Sequence, residues 1–336
     1  MVAVALRVLT LALLLAGGTA GAHAPERPDA TAAGMATGGA EAGSGPADAA
    51  AWTLHWSFEP WVVTCLLASA ALYAIGLRRL WRRAGAGHGV SLPQAAAFIG
   101  GWLALAVALV SPVDPLGTQL FSAHMLQHEL LMVVAAPLLV VGKPLAAWIW
   151  ALPPGWRPGI GAVFRHPGWR IPWLQLSSPL GAWLVHALAL WLWHMPALFD
   201  AALASDALHT LQHLSFFFTA LLFWWSALGQ VERSAQGTAM LYLFTTMVHS
   251  SALGALLTLS PVVWYPTYLR TAPALGIPAL DDQQLGGLVM WIPAGTAYFV
   301  TGLLLAMRWI GLNRGGATIA GMSSGAPRSA WHSPRS

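Results

Sequence analysis

The sequence predicts an all-α polytopic membrane protein, seven transmembrane helices after a signal peptide, and three observations carry that prediction. Charge is scarce: Lys+Arg is 16 and Asp+Glu is 12 in 336 residues, 8% of the chain, against about 25% in soluble domains. Apolar residues make up 57%, with 19 Trp and a mean hydropathy of +0.62. A soluble globule cannot cover that much apolar surface, and a disordered chain does not carry it. Third, the basic residues gather in alternate loops. The net charge of +4 therefore marks cytoplasmic loops and gives no reason to expect nucleic acid as a partner. The single cysteine, Cys65, excludes an internal disulfide, a CxxC redox pair and a multi-cysteine metal site.

Residues 1–22 read as a secretory signal: Arg7 supplies the positive start, Val8 to Ala16 the apolar stretch, and Ala20-Gly21-Ala22 the cleavage motif. An uncleaved anchor helix is the alternative. Residues 23–50 are rich in Ala, Gly, Pro and Asp and read as a flexible external linker. The membrane domain occupies 51–312, and 313–336 reads as a disordered cytoplasmic tail. Seven apolar stretches, each near the ~20 residues that cross a bilayer, fall at Pro60–Leu77, Gln94–Val110, Gln119–Val141, Pro179–Met195, Ala207–Leu228, Thr238–Leu259 and Leu285–Met307. Leu145–Leu152 is too short to span and reads as an interfacial segment with Trp148, Trp150 and Trp156.

Orientation follows from the loops. Arg78, Arg79, Arg82 and Arg83 follow the first span, Lys143, Arg157, Arg165 and Arg170 the third, Arg233 the fifth, and Arg308, Arg314, Arg328 and Arg335 the seventh. After the signal, the other side has only Arg27 and Arg270. The positive-inside rule then puts the N-terminal linker outside and the C-terminus in the cytoplasm.

The chemistry sits with the histidines, of which there are 12. His124 and His128 stand at i, i+4 on the third span, and His209 and His213 repeat that spacing on the fifth. An i, i+4 pair shares a helix face, so both rings can reach one ion. These four are the primary candidate metal ligands, all in the outer half, and His194 at the end of the fourth span joins them at that depth. His186 and His249 lie nearer mid-depth. His249, Met125 and Asp282 are further candidate ligands; a helix cap is the alternative for Asp282 and packing the alternative for Met125. For His186 a single interhelical hydrogen bond is the plainer reading. His55, His88, His166 and His332 read as solvated. Imidazole plus thioether suits copper, and four imidazoles would also hold zinc; haem is a competitor, although ligands four residues apart on one helix suit a small ion better. Glu129 is the lone formal charge within the predicted spans and a functional candidate by default. Cleavage after Ala22 would leave His23 as the first residue, whose α-amine and ring could chelate copper(II).

At these residues the chain resembles the CtaG-type assembly factors of caa3-type cytochrome c oxidase. The matching stretches are Ser111 to Pro144, with SPVDPLG and AHMLQHE; Trp193 to Trp225, with WHMPALFD and LHTLQHLSFF; and Gly254 to Trp309, with YPTY and DDQQLGG. The resemblance covers about Trp52 to Leu312 and implies a seven-span protein of the bacterial cytoplasmic membrane that serves formation of the oxidase copper centre. It implies as partners a haem-copper oxidase subunit and an external copper donor, beside the lipid bilayer. Two departures stand out: Glu129 where family members look apolar, and Gln212 where an acid is common. No activated nucleophile or matched acid–base pair points to catalysis. The rival readings are a membrane haem or redox protein and a copper permease.

The charge asymmetry makes a direct prediction. Reporter fusions at Gly315 should be active on the cytoplasmic side and fusions at Ala274 on the outside; an externally active reporter at Gly315 would reverse the orientation.

Overall fold

The computed structural model describes residues 54–229 and 233–323, with side chains described for 54–229 and 237–310. His23, the signal, the whole linker and residues 324–336 of the expected tail lie outside that range. The described residues are mostly helical, and no strand occurs among them. Long helices are α1 (Pro60–Ala84), α2 (Leu92–Val110), α3 (Phe121–Val141), α4 (Pro179–Trp193), α5 (Asp206–Leu228), α6 (Arg233–Leu259) and α7 (Ala279–Ser323). Six of them are long and apolar enough to cross a membrane by themselves. The exception is α4, whose 15 residues reach only about 22 Å at ~1.5 Å per residue. It makes a seventh span when joined to the helix Pro167–Leu176, from which it turns by 70°.

Local chemistry sets the boundaries. Ser91 and Gln94 close a capping box ahead of α2, and Ser178 and Ser205 cap α4 and α5. Arg82 and Arg83 occupy the last turn of α1, where they meet the negative end of the helix dipole. Lys143 takes a left-handed conformation (φ 49°) just before Pro144, and the break ends α3. The next helix is the short apolar segment, here Pro144–Ala151. It lies along α1: Tyr73 donates to Gly142 O (2.9 Å), Trp148 Nε1 to Ser69 O (3.1 Å) and Arg79 to Ala151 O (2.5 Å). Gly76 permits this, because any side-chain carbon there would collide with the Ala147 backbone. α7 also outruns its predicted end: its backbone is helical to Ser323, so the first part of the expected tail continues the helix. Propagating a formed helix costs far less than nucleating one.

α3 is the most buried of the long helices and α1 and α7 are among the least. Its middle carries a π-turn at Leu130–Ala135, whose displaced carbonyl at Met132 accepts from Trp224 Nε1 (2.8 Å). Around it the main core packs Phe216, Phe223 and Trp224 of α5, Tyr242 of α6 and Tyr298 of α7. α6 and α7 meet backbone to backbone, since a methyl on Gly254 would stand 2.9 Å from Trp291 Cβ and one on Gly287 2.7 Å from Thr258 N. Small residues take this role in membranes, where close packing replaces the hydrophobic drive.

Gly287→Ala should therefore destabilise by about 1–3 kcal/mol, the usual cost of overpacking. Gly302→Ala, where an added methyl meets nothing within 4 Å, should leave stability level or slightly raised. Thermal unfolding in detergent checks the pair; equal effects would place the α6–α7 contact elsewhere.

Candidate metal centre

The centre is built from the first turns of α3 and α5 and the last turn of α4. α3 begins at Phe121 without a side-chain cap of its own. Asp282 of α7 supplies one across the bundle: its Oδ2 accepts from Phe121 N (2.6 Å), and its Oδ1 from Ser122 N (3.1 Å) and Ser122 Oγ (2.5 Å). Two of the four N–H groups a helix leaves unpaired at its start are thereby satisfied. The next two residues continue the work. Gln283 accepts from Trp264 N (2.6 Å) and donates to Val262 O (3.1 Å), and Gln284 donates to Ser260 O (3.2 Å). The run Asp282-Gln283-Gln284 thus clamps α3 and the loop after α6 to the top of α7. A methyl on Gly286 would stand 2.6 Å from Phe121 Cε1, so α3 and α7 also touch directly.

One and two turns into α3 stand His124 and His128, both buried. Their ring centroids are 4.4 Å apart. His209 and His213 of α5 face them: His209 lies 4.2 Å from His213 and 5.3 Å from His124, and His213 lies 5.3 Å from His128. His194, buried at the end of α4, comes within 6.0 Å of His128. One nitrogen from each of His124, His128 and His213 lies within 4.8 Å of the other two. The Nε2 atoms of all five rings are buried and find no hydrogen-bond partner among the described residues.

Two of the rings are oriented by backbone. His124 Nδ1 faces Gly117 O (3.3 Å) and His194 Nδ1 faces Leu190 O (2.7 Å). A carbonyl accepts only, so each Nδ1 carries the proton and each Nε2 keeps its lone pair. Metal-binding histidines are held in this way. Gly117 O also accepts from Tyr268 Oη (2.8 Å), and Tyr265 Oη donates to His194 O (2.9 Å). Both tyrosines belong to the loop between α6 and α7, and burial raises the pKa of each above the ordinary phenol value, so both remain donors. With Phe121 and Phe199 they make an aromatic cover: Phe199 lies 4.2 Å from Tyr265 and 4.9 Å from His124. Thr267 Oγ1 pins that cover to Asp200 Oδ1 (2.9 Å).

The structure thus gathers His124, His128, His209 and His213 and adds His194. It places the remaining candidates elsewhere. Asp282 spends both oxygens on α3, which agrees with its reading as a cap, although of a helix 161 residues away in sequence. Met125 turns towards Gly286 of α7, where its Cγ would lie 3.3 Å from an added methyl. His249 packs against Trp183 at 5.6 Å, outside this group of rings. Glu129 is buried near Tyr298 of α7. Residues that spacing did not single out also shape the centre. Gln127 donates to Ala108 O and to Asp114 Oδ1, both at 2.8 Å, tying α3 to α2 and the turn after it. Gln212 is fully buried beside His213 with neither amide atom bonded among the described residues. The repeated Leu-Gln-His in the two histidine segments was the available signal.

Fold and site define a multi-pass membrane protein with a buried histidine centre. The family profile described as cytochrome c oxidase caa3 assembly factor (Caa3_CtaG) matches residues 71–311, and the chain belongs to that family. Among curated proteins it is similar to uncharacterised proteins of Mycobacterium bovis and Mycobacterium tuberculosis, each 26% identical over 267 residues. A Mycobacterium leprae protein is 24% identical over 269 residues. Each match covers 76% of this chain and 39% of the relative, so the chain spans about two fifths of their length. No solved structure matches.

Removing the Asp282 cap tests how the centre is held. Hydrogen bonds to a charged group contribute ~1.5–3 kcal/mol, so Asp282→Ala should cost about 3 kcal/mol and Asp282→Asn, which keeps one acceptor, about half that. A melting temperature unchanged in Asp282→Ala would show that α3 is anchored by packing alone.

Proposed function

We propose that the protein is an assembly factor for a haem-copper cytochrome c oxidase, holding copper at the outer face of the membrane for the oxidase copper centre. One observation carries the copper reading: five buried imidazoles converge with every Nε2 unpartnered. A buried acceptor without a donor costs about 1–3 kcal/mol, and five in one place are stabilised together by a cation. His124, His128 and His213 are the ligands of the resting ion. His209 and His194 flank them and serve as the next nitrogens when the ion arrives or leaves. All five are neutral ligands, with no carboxylate or thiol among them, which suits copper and leaves little to attract calcium, magnesium or manganese. The donor set also admits zinc; the family match favours copper. Haem is disfavoured by packing. Phe199 stands 4.9 Å from His124 and Phe216 4.6 Å from His128, so the rings are walled by aromatic side chains where a macrocycle would have to lie.

In this reading the protein carries an ion and does no covalent chemistry. The aromatic cover of Phe121, Phe199, Tyr265 and Tyr268 keeps water from the ion, and the Nδ1–H bonds of His124 and His194 aim their lone pairs at it. The basic loops put this end of the bundle outside, where a copper donor would meet it, and the C-terminus in the cytoplasm.

Purified protein loaded anaerobically with copper(I) should hold tight, stoichiometric copper. Outer partners of a ligand alone are worth about 10–100-fold in affinity, so His128→Ala should weaken binding by more than ~100-fold. Cells carrying the quadruple His124, His128, His209 and His213 to Ala variant should accumulate oxidase without its copper centre. Full tight binding in the quadruple variant, with normal folding, would overturn the proposal.

A further inference from the structure

The five rings of the centre are not equally enclosed. His124, His128, His194 and His213 are buried, none more than 8% exposed. His209, in the first turn of α5, is part-exposed. Its Nε2 is nonetheless shut off from solvent and unpartnered among the described residues, so the residue reaches the surface while that nitrogen stays inside. His213 lies 4.2 Å and His124 5.3 Å from it, ring centre to ring centre. The opposite flank is closed. His194 packs against Phe216 at 5.8 Å and Phe199 at 6.3 Å, and Tyr265 donates to its backbone carbonyl.

The surface beside His209 is acidic. Asp206 is exposed and stands three residues before it on α5, a spacing that brings helical side chains to about 5–6 Å at Cβ. Asp114 comes from a different element, the short helix Val113–Gly117. Its Oδ1 accepts from Nε2 of Gln127 (2.8 Å), the neighbour of His128 on α3. The same short helix ends at Gly117, whose carbonyl faces His124 Nδ1 (3.3 Å). Asp114 is thereby fastened to the rim of the centre at two points, and its charge and that of Asp206 both reach the His209 ring. Among the described residues at this end of the bundle, Glu59, Asp114, Asp200, Asp206, Asp281 and Asp282 stand against Arg270 alone. A carboxylate in a first turn meets the positive end of the helix dipole, which accounts for Asp206 taken singly. It does not account for the convergence of Asp206 and Asp114, from separate elements, on the one ring that reaches the surface.

We propose that His209 is the port of the centre: copper(I) is drawn to the rim by Asp206 and Asp114, binds first at His209, and passes inward to His124 and His213. The proposal rests on the reading of copper as the cargo of the centre. Carboxylates attract the ion without keeping it, since oxygen ligands suit harder cations and imidazole suits copper. The rings on either side of each transfer are neighbours, so the incoming nitrogen engages before the outgoing one lets go. A Cu–N bond forms as a Cu–N bond breaks. Every imidazole is neutral and the ion stays copper(I), so no electron and no net proton moves. The sealed flank at His194 leaves entry and release to the same opening.

Rates separate a port from a resting ligand. Full-length protein in detergent is mixed anaerobically with the acetonitrile complex of copper(I), a monocation, and affinity is read separately by competition with a chelator. The double variant Asp114→Asn, Asp206→Asn, which keeps an acceptor for Gln127, should slow association by ~10-fold or more at low salt, as loss of steering does. Its affinity should stay near that of wild type. The difference should shrink between about 0.01 and 1 M salt, as the screening length falls from ~30 to ~3 Å. His209→Phe fills the opening without a nitrogen. It should slow association and release together, with affinity lost by no more than the ~10–100-fold of a partner outside the ligand set. Accessibility gives an independent reading. With the exposed Cys65 changed to Ala, His209→Cys should react with a membrane-impermeant thiosulfonate before copper is added, and His194→Cys should not. Tight copper with association unchanged in both the Asn and the Phe variants, or labelling of His194→Cys with His209→Cys inert, overturns the port and leaves the centre standing. No tight copper in wild type removes both.

Discussion

A carboxylate from the last long helix holds the first turn of the third. Asp282 accepts from Phe121 N, Ser122 N and Ser122 Oγ, and the centre depends on where that places α3. His124 and His128 begin two residues further on, so the cap fixes their height and their angle about the helix axis together. Inside a membrane domain the unpaired N–H groups at a helix start have no bulk water to turn to. Asp282 answers that need from another helix, and in doing so couples the loop over the centre to the helix beneath it. Gln283 and Gln284 extend the clamp to Ser260, Val262 and Trp264, and the same loop carries Tyr265 and Tyr268. Cap, cover and ligands are one hydrogen-bonded unit.

That unit explains how neutral imidazoles can be gathered so closely. Five rings with Nε2 unpaired would repel or rotate if their orientation were left to side-chain torsions. Gly117 O and Leu190 O hold two of them by Nδ1, and tyrosine hydroxyls donate to Gly117 O and His194 O in turn. Phe199 and Phe216 fill the gaps between the rings. The cost of burying lone pairs is accepted at one point, and the rest of the bundle is packed in the ordinary way, by small residues where α6 meets α7 and by large aromatic side chains around α3.

How much of this was legible in the sequence depended on the range of each interaction. Spans show in local hydropathy, and six of the seven stretches form helices long and apolar enough to cross by themselves. The fourth begins at Pro179 as expected but is short, because Ser177-Ser178-Pro179 bends the chain sharply there, and a bend angle leaves no mark in composition. The two i, i+4 pairs were legible because both partners lie on one helix turn. His194 was legible by depth only. The role of Asp282 was not, since its partner lies 161 residues away and a helix start can be capped from either side in sequence. The cover was hidden likewise: Tyr265 and Tyr268 touch the centre through backbone carbonyls, and a pattern of side chains does not show a bond to a carbonyl. Met125 looked like a ligand because it adjoins one, yet a helix turns about 100° per residue and sends it to Gly286.

The π-turn at Leu130–Ala135 gives α3 a property that a regular helix lacks. One extra residue in a turn shifts the phase of everything after it by roughly 100°. The half above the turn, which presents His124 and His128, and the half below it, which packs on α2 and α5, are consequently out of register with each other. Each half can suit its own neighbours without compromise from the other, as two gears on one shaft are keyed separately. Trp224 locks the key by taking the Met132 carbonyl. Any drift in the sequence of the lower half can then be absorbed below the turn, and the ligand-bearing half keeps its aim.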